Sequence, residues 1–104
     1  VLNATPVGPI GPGTTPFLDD VEAGTFMDMQ GVWRISNRRA STGTLSYHNG
    51  GDTGNYIAND CSAITTMPFT VMPGGTLEYD ARYNLEVNWD GVVVEISTNN
   101  GMTW

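Results

Sequence analysis

Residues 77–89 alternate without a break between apolar and polar side chains, and this pattern constrains the fold more than any other feature of the sequence. The apolar or aromatic positions are Leu77, Tyr79, Ala81, Tyr83, Leu85, Val87 and Trp89. A period of two residues places these side chains on one face of a β-strand and the polar ones on the other. The pattern therefore predicts an antiparallel strand with one buried and one solvated face. Its length also predicts a bend or bulge within the strand.

The sequence predicts a β-hairpin after this strand, because Asp90-Gly91 is a strong turn signal and the β-forming run 92–97 follows it. A two-residue turn pairs positions of the same predicted buried face, which are Trp89 with Val92, Val87 with Val94, and Leu85 with Ile96. The same register sets Glu86 opposite Glu95 on the polar face, where like charges repel each other. Two carboxylates in register are also the kind of pair that glycoside hydrolysis requires, although solvated strand residues are the more common case.

The rest of the sequence indicates an all-β fold. Short β-forming segments are expected over 32–35, 44–47, 62–67 and 69–72, and no helical periodicity of useful length is present. Thirteen glycines and six prolines in 104 residues supply the turns between such segments.

Two regions are predicted from the composition along the chain. Residues 1–16 contain four prolines and three glycines without any charge, which favours an unpaired, proline-stiffened linker. Residues 17–104 form the predicted β module. Since Met102–Trp104 begins a further predicted strand, we expect the module to be completed by missing sequence, by a second polypeptide, or by self-association through an open edge strand.

Charge and apolar content exclude several classes of partner. The net charge is −7 and the four basic residues are all arginines, so the clustered positive charge that nucleic acid requires is missing. An anionic membrane surface is disfavoured for the same reason. No stretch approaches the roughly 18 apolar residues of a membrane span. Cys61 is the single cysteine, which excludes an internal disulfide.

The run from Trp89 to Trp104, which reads WDGVVVEISTNNGMTW, resembles a signature of MAM-like or carbohydrate-binding-like modules in secreted bacterial proteins. Residues 19–24, 31–34 and 64–69 resemble further strands of these modules, in the same order. The sequence departs from the pattern at 99–101, where an aspartate usually precedes two glycines, and it resembles the N-terminal half only. The resemblance implies an antiparallel β-sandwich of jelly-roll type, incomplete at its C-terminus. It also implies attachment to a secreted peptidase, such as the metallopeptidases of the immune inhibitor A type.

The same resemblance implies a structural calcium ion at the start of the first strand of the module. The glutamate of the motif at 19–24 often helps to bind calcium in such modules, so Glu22 and Asp20 are the candidate metal ligands here. Calcium takes about six to eight oxygen ligands, and this chain supplies part of such a set. An acidic strand entry exposed to water is the alternative interpretation.

Aromatic side chains that flank the glycine-rich stretch 49–55 are candidates for sugar binding. Tyr79, Tyr83 and Trp89 belong to the predicted buried face, where aromatic rings form core. Tyr47 and Tyr56 are left as the candidate ligand-binding residues.

His48 raises the possibility of hydrolytic chemistry, because serines and aspartates lie near it in the sequence. A triad would combine His48 with Ser46 or Ser62 and with Asp52 or Asp60. No nucleophile elbow surrounds either serine. A histidine that caps the loop is therefore the preferred interpretation.

These observations favour a non-catalytic accessory module of a secreted bacterial hydrolase, in particular a peptidase. Such a module would act extracellularly, in structural support or in binding a substrate or surface. Its partner would be the parent catalytic domain, the missing C-terminal half, or a protein or glycan ligand. A carbohydrate-binding module that uses loop aromatics is the alternative, and a small independent hydrolase is the third hypothesis.

Overall fold

The computed structural model describes residues 2–7, 17–24, 27–51 and 56–104, with the backbone alone described for 2–7. Six β-strands lie within these ranges: β1 Leu2–Val7, β2 Met27–Met29, β3 Trp33–Ser36, β4 Ser46–Asn49, β5 Ile64–Thr66 and β6 Thr76–Ala81. They form a four-stranded sheet of order β3-β4-β1-β6 and a two-stranded sheet of β2 and β5. Every pairing is antiparallel.

All regular elements in the described ranges are strands, which confirms the prediction of an all-β fold. The closure of the two sheets into a jelly-roll sandwich stays a prediction. Within the same ranges, no helix has the length and hydropathy needed to cross a membrane.

Strands β3 and β4 lie side by side in the four-stranded sheet, and all of their residues are buried or half-buried. Ile35 lies opposite Tyr47 and Ser36 lies opposite Ser46. The predicted segments 32–35 and 44–47 correspond to these strands with shifts of one and two residues at their starts. The buried core consists of Val21, Met27 and Tyr47, against which six partly buried side chains pack: Phe17, Met29, Trp33, Ile35, Leu45 and Ile64.

The smaller sheet joins β2 to β5, with Met29 opposite Ile64 and Met27 opposite Thr66. Strand β5 lies within the predicted segment 62–67. Strand β2 was not predicted, because three residues are too few for an alternation to be recognised. The predicted strand at 69–72 does not form. Instead Phe69 stacks on Phe17 with ring centroids 4.5 Å apart.

The first strand lies in the region predicted as an unpaired linker. Residues 2–7 pair along their whole length with β6, from Leu2 opposite Ala81 to Val7 opposite Thr76. The β1 strand meets β4 only at Leu2. The stretch around Pro6 therefore has one neighbouring strand, which is where a sheet tolerates a proline. Residues 8–16, the rest of the predicted linker, lie outside the described residues, and the boundary at 16/17 stays a prediction.

The predicted hairpin around Asp90-Gly91 is wrong. The alternating run is a strand only as far as Ala81, and Glu86–Asp90 forms a turn in which the backbone N–H groups of Trp89 and Asp90 donate to the Glu86 carbonyl. Asn88 takes a left-handed backbone with φ 69°, which a short polar side chain tolerates. The turn therefore comes before the predicted position, and the three predicted apolar pairs and the Glu86–Glu95 pair do not form.

The predicted buried face of residues 77–89 is also wrong. All six residues of β6 are exposed, and Tyr83 and Trp89 are 70% and 82% exposed. In the described part of the chain β6 pairs with β1 only, and no second sheet covers its face. An alternating sequence forms a buried face only where a neighbouring layer exists to bury it.

Candidate functional site

The start of the 17–24 segment is anchored by a buried carboxylate. Asp19 is 1% exposed; its Oδ1 accepts a hydrogen bond of 2.9 Å from the backbone N–H of Val21. Its Oδ2 accepts one of 2.6 Å from the hydroxyl of Tyr47. Both oxygens of a buried acid are thus satisfied, as burial requires. These bonds hold Val21, a fully buried valine, in an unusual left-handed conformation with φ 69°.

Glu22, a predicted calcium ligand, accepts hydrogen bonds from the chain before β4. Its Oε1 accepts hydrogen bonds from the backbone N–H of Thr44 at 2.7 Å and of Leu45 at 2.6 Å. Its Oε2 accepts a bond of 2.8 Å from the Thr44 hydroxyl. These donors stabilise the charged carboxylate, so the backbone N–H of Thr44 first, and then that of Leu45, lowers the pKa of Glu22 below its ordinary value. We call this arrangement the Glu22 clamp.

Gly43 makes room for the Glu22 clamp. A Cβ atom at this position would lie 2.5 Å from the Oε1 atom of Glu22, and the backbone has φ +64°. Both the contact and the left-handed backbone favour glycine. The sequence feature that could have revealed the clamp is Gly43-Thr44, which offers a flexible backbone and a hydroxyl next to each other.

Asp20 and Glu22, the predicted calcium ligands, both accept hydrogen bonds from the chain. Asp20 accepts a hydrogen bond of 3.1 Å from the backbone N–H of Glu22 through Oδ1, and both oxygens of Glu22 already have donors. Among the residues that the structure describes, no three acidic, histidine or cysteine side chains are grouped to hold a metal ion. Asp20 and Glu22 therefore have a hydrogen-bonding role that needs no cation, and their role as calcium ligands stays a prediction.

Tyr56, a predicted sugar-binding residue, fixes the 86–90 turn. Its hydroxyl accepts a hydrogen bond of 3.0 Å from the backbone N–H of Glu86 and donates a short one to the carboxylate of Asp90. The bond to Asp90 is the main cause that raises the pKa of Tyr56 above its ordinary value. We call this arrangement the Tyr56 clamp. It holds the half-buried ring in one place, next to a turn that the sequence did not predict.

Tyr47, the other predicted sugar-binding residue, lies in the core. Its ring has no exposed surface, and its hydroxyl is occupied by Asp19. The predicted exposure of this side chain is therefore wrong, since a ring that stacks on a sugar must present a free face. Sequence reasoning missed this because the buried face was sought in residues 77–89, whereas the core forms around β4.

Among the described residues, His48 forms no hydrogen bond with Ser46, Ser62 or Asp60, so the conceivable triad is not connected. The Ser46 hydroxyl donates to the carbonyl of Arg39 at 2.5 Å, and the Ser62 hydroxyl donates to Asp60 at 2.5 Å. Asp52 lies outside the described residues. His48 is half-buried on β4, and its Nε2 atom has no hydrogen-bond partner in the described part of the chain. Burial is the main cause that lowers the pKa of His48, which favours a neutral ring.

The most extensive surface feature lies in residues 82–104, which we call the 82–104 segment. Nine of its large apolar or aromatic side chains are exposed: Tyr83, Val87, Trp89, Val92, Val93, Val94, Ile96, Met102 and Trp104. Exposed apolar side chains at nine of 23 consecutive positions indicate a stretch that binds something. The segment also contains the run that carried the resemblance to extracellular modules.

The centre of the segment is a β-forming run without a ladder. Residues 92–96 read Val-Val-Val-Glu-Ile, and they form neither a strand nor a turn. Within the described ranges, the backbone of these five residues makes no hydrogen bond. Their backbone donors and acceptors are therefore open to a neighbouring strand. Cys61, the single cysteine, is exposed and lies outside this segment.

The chain matches no protein-family model, no curated protein and no solved structure.

Proposed function

We propose that the chain is a non-catalytic accessory module of a secreted bacterial hydrolase, in particular a peptidase, and that it acts by protein contact or surface adhesion. The observation that carries the proposal is the 82–104 segment, where nine large apolar side chains are exposed together. The serines considered for catalysis support it, because Ser46 and Ser62 each form hydrogen bonds within the chain itself. The extracellular setting and the peptidase association rest on the resemblance of residues 89–104.

The proposal is tested by measuring binding and turnover on the same preparation. The chain is immobilised and exposed to a panel of secreted bacterial peptidases and to insoluble protein and polysaccharide surfaces. We expect the immobilised chain to bind at least one of these peptidases or surfaces. The double variant Trp89→Ser and Trp104→Ser should bind it at least tenfold more weakly. The control variant Met67→Ser removes an exposed apolar side chain outside the segment and should bind as the parent does. Turnover of peptide or glycoside reporters by the isolated chain would instead support the independent hydrolase.

Carbohydrate binding is the second candidate function, and Tyr56 is the residue that favours it. Its ring is half-buried beside the glycine-rich stretch, and the Tyr56 clamp fixes its orientation. An oriented aromatic ring is the usual platform for an apolar sugar face. Binding on a glycan array that is lost in Tyr56→Ala but kept in Tyr56→Phe would support this role, since the phenylalanine keeps the ring. Equal binding by parent and Tyr56→Ala would exclude it.

A further inference from the structure

We infer that residues 92–96 are a docking site for a β-strand of a partner protein, and that this strand alternates apolar with basic side chains. The inference rests on the proposed function and names the chemistry of its partner. It joins an open backbone and an exposed apolar surface in residues 92–96 with an excess of negative charge in the longer run 77–104.

The backbone of 92–96 is prepared for strand addition. Val92, Val93, Val94 and Ile96 are β-branched, which favours a pleated conformation. No residue from Val92 to Ile96 has a positive φ. Because these residues make no backbone hydrogen bond within the described ranges, an incoming strand can form a ladder without breaking an existing one. Addition of a strand to an open edge gives affinity through the main chain and specificity through alternate side chains.

The side chains of this stretch define one apolar and one mixed face. In a strand, Val92, Val94 and Ile96 point to one side, and Val93 and Glu95 point to the other. Val93 and Ile96 are 79% and 75% exposed, so each face has apolar surface to bury. An apolar side chain of the partner can pack against either valine face, and a cation can lie opposite Glu95.

Charge decides between a basic partner and a second copy of this chain. Residues 77–104 contain five carboxylates, at Glu78, Asp80, Glu86, Asp90 and Glu95, and a single arginine, Arg82. A second copy would bring the same excess of negative charge against itself. The net charge of −7 on each copy opposes self-association, whereas a lysine or arginine of a partner strand opposite Glu95 is favourable and speeds association. The complementary occupant is therefore a basic, apolar strand.

The test uses the whole chain and three short peptides. One alternates valine with lysine, one alternates valine with glutamate, and one repeats the lysine peptide with every second amide N-methylated. Binding is followed by Trp fluorescence, and the site by hydrogen–deuterium exchange of residues 92–96. We expect the lysine peptide to bind at least tenfold more tightly than either of the others and to protect the amides of 92–96.

Two pairs of variants locate the site. Val94→Pro removes a backbone donor and should weaken binding of the lysine peptide at least tenfold. Val71→Pro, at an exposed valine that lies outside the strands, should leave this binding unchanged. Glu95→Lys should weaken binding of the lysine peptide and strengthen binding of the glutamate peptide. Asp28→Lys, which changes the net charge equally but lies on the two-stranded sheet, should change neither by more than about twofold.

Several results would overturn the inference. Equal affinity for the lysine and glutamate peptides would show that the partner strand is not basic. Equal affinity for the lysine peptide and its N-methylated form would show that binding does not use a ladder of backbone hydrogen bonds. Sedimentation that shows a dimer whose formation protects 92–96 would assign the site to a second copy. If the peptides fail while a peptidase or surface is still retained through Trp89 and Trp104, the strand inference is wrong and the accessory function stands. If that retention also fails, both are wrong.

Discussion

The hydroxyl of Tyr47 donates a 2.6 Å hydrogen bond to the carboxylate of Asp19, and both side chains are almost completely buried. The bond joins β4 to the 17–24 segment across 28 positions of sequence. The other oxygen of Asp19 holds the backbone of Val21, which is the fully buried valine of the core. The hydrogen-bonded pair of Tyr47 and Asp19 therefore organises the part of the core in which β4 and the 17–24 segment meet. Through Asp19 it joins three residues, Asp19, Val21 and Tyr47.

Tyr47→Phe should destabilise the protein by about 1–3 kcal/mol, because it leaves one oxygen of a buried carboxylate without its donor. Chemical unfolding followed by Trp fluorescence gives the free energy of unfolding. Tyr79→Phe is the matched control, since Tyr79 is exposed on β6 and its change should stay within about 0.5 kcal/mol. Equal losses in the two variants would show that the bond to Asp19 contributes nothing specific.

Stability should fall in acid through the Glu22 clamp. The folded state lowers the pKa of Glu22 below its ordinary value of 4.5, so the unfolded chain binds a proton more readily than the folded chain does. The contribution of the clamp is therefore complete above that value and is lost as the pH falls through the lowered pKa. Melting temperatures between pH 6 and about pH 3 should fall less steeply in Glu22→Gln than in the parent. Parallel curves would contradict the clamp.

Gly43→Ala should cost more stability than Gly74→Ala. Both glycines have a left-handed backbone, with φ +64° and φ +80°, and alanine in that conformation costs about 1–2 kcal/mol at either position. Only at Gly43 does the added carbon also meet a neighbour, the Glu22 carboxylate at 2.5 Å, while nothing lies within 4 Å at Gly74. The difference between the two melting temperatures measures the contact, and combining Gly43→Ala with Glu22→Ala, which removes the contacting atoms, should reduce it. A larger loss at Gly74 would exclude the packing that we describe.

The Glu22 clamp alone predicts that removal of calcium leaves the melting temperature unchanged, because the oxygens of Glu22 already have protein donors. The melting temperature is measured in excess chelator and again after calcium is added back. A saturable rise in melting temperature with calcium that disappears in Glu22→Gln would show that the metal site implied by the resemblance exists and replaces the clamp.

The fold class could be predicted from sequence because it depends on local signals. Abundant turn residues and short β-forming runs indicate strands, and β3, β4 and β5 lie at or near the predicted segments. The location of the core could not be predicted in the same way. Alternation shows that residues 77–89 are able to form a two-faced strand, but burial depends on which elements pack above that strand. The longest alternating run is therefore exposed, and the core lies around Tyr47.

For the site residues too, local signals could be predicted from the sequence, whereas contacts between distant positions could not. Glu22 and Asp20 were selected as acids near a strand entry, and the structure places Glu22 in a polar contact 22 positions away in sequence. Such a contact has no local signature apart from a glycine and a threonine. Tyr56 was selected for its ring, whereas its hydroxyl makes the decisive contacts, with Glu86 and Asp90. Asp90-Gly91 did signal a turn, but these contacts and the left-handed Asn88 place it earlier.

Amide hydrogen exchange of Val92–Ile96 in the free chain tests most directly whether this stretch is an open edge. Mass spectrometry or NMR compares these five amides with those of β3 and β4 in the same sample. We expect 92–96 to exchange close to the rate of an unstructured peptide while the amides that are hydrogen-bonded between β3 and β4 are protected. Protection of 92–96 in the monomeric chain that equals that of β3 and β4 would contradict this, because the run would then already be paired within its own chain.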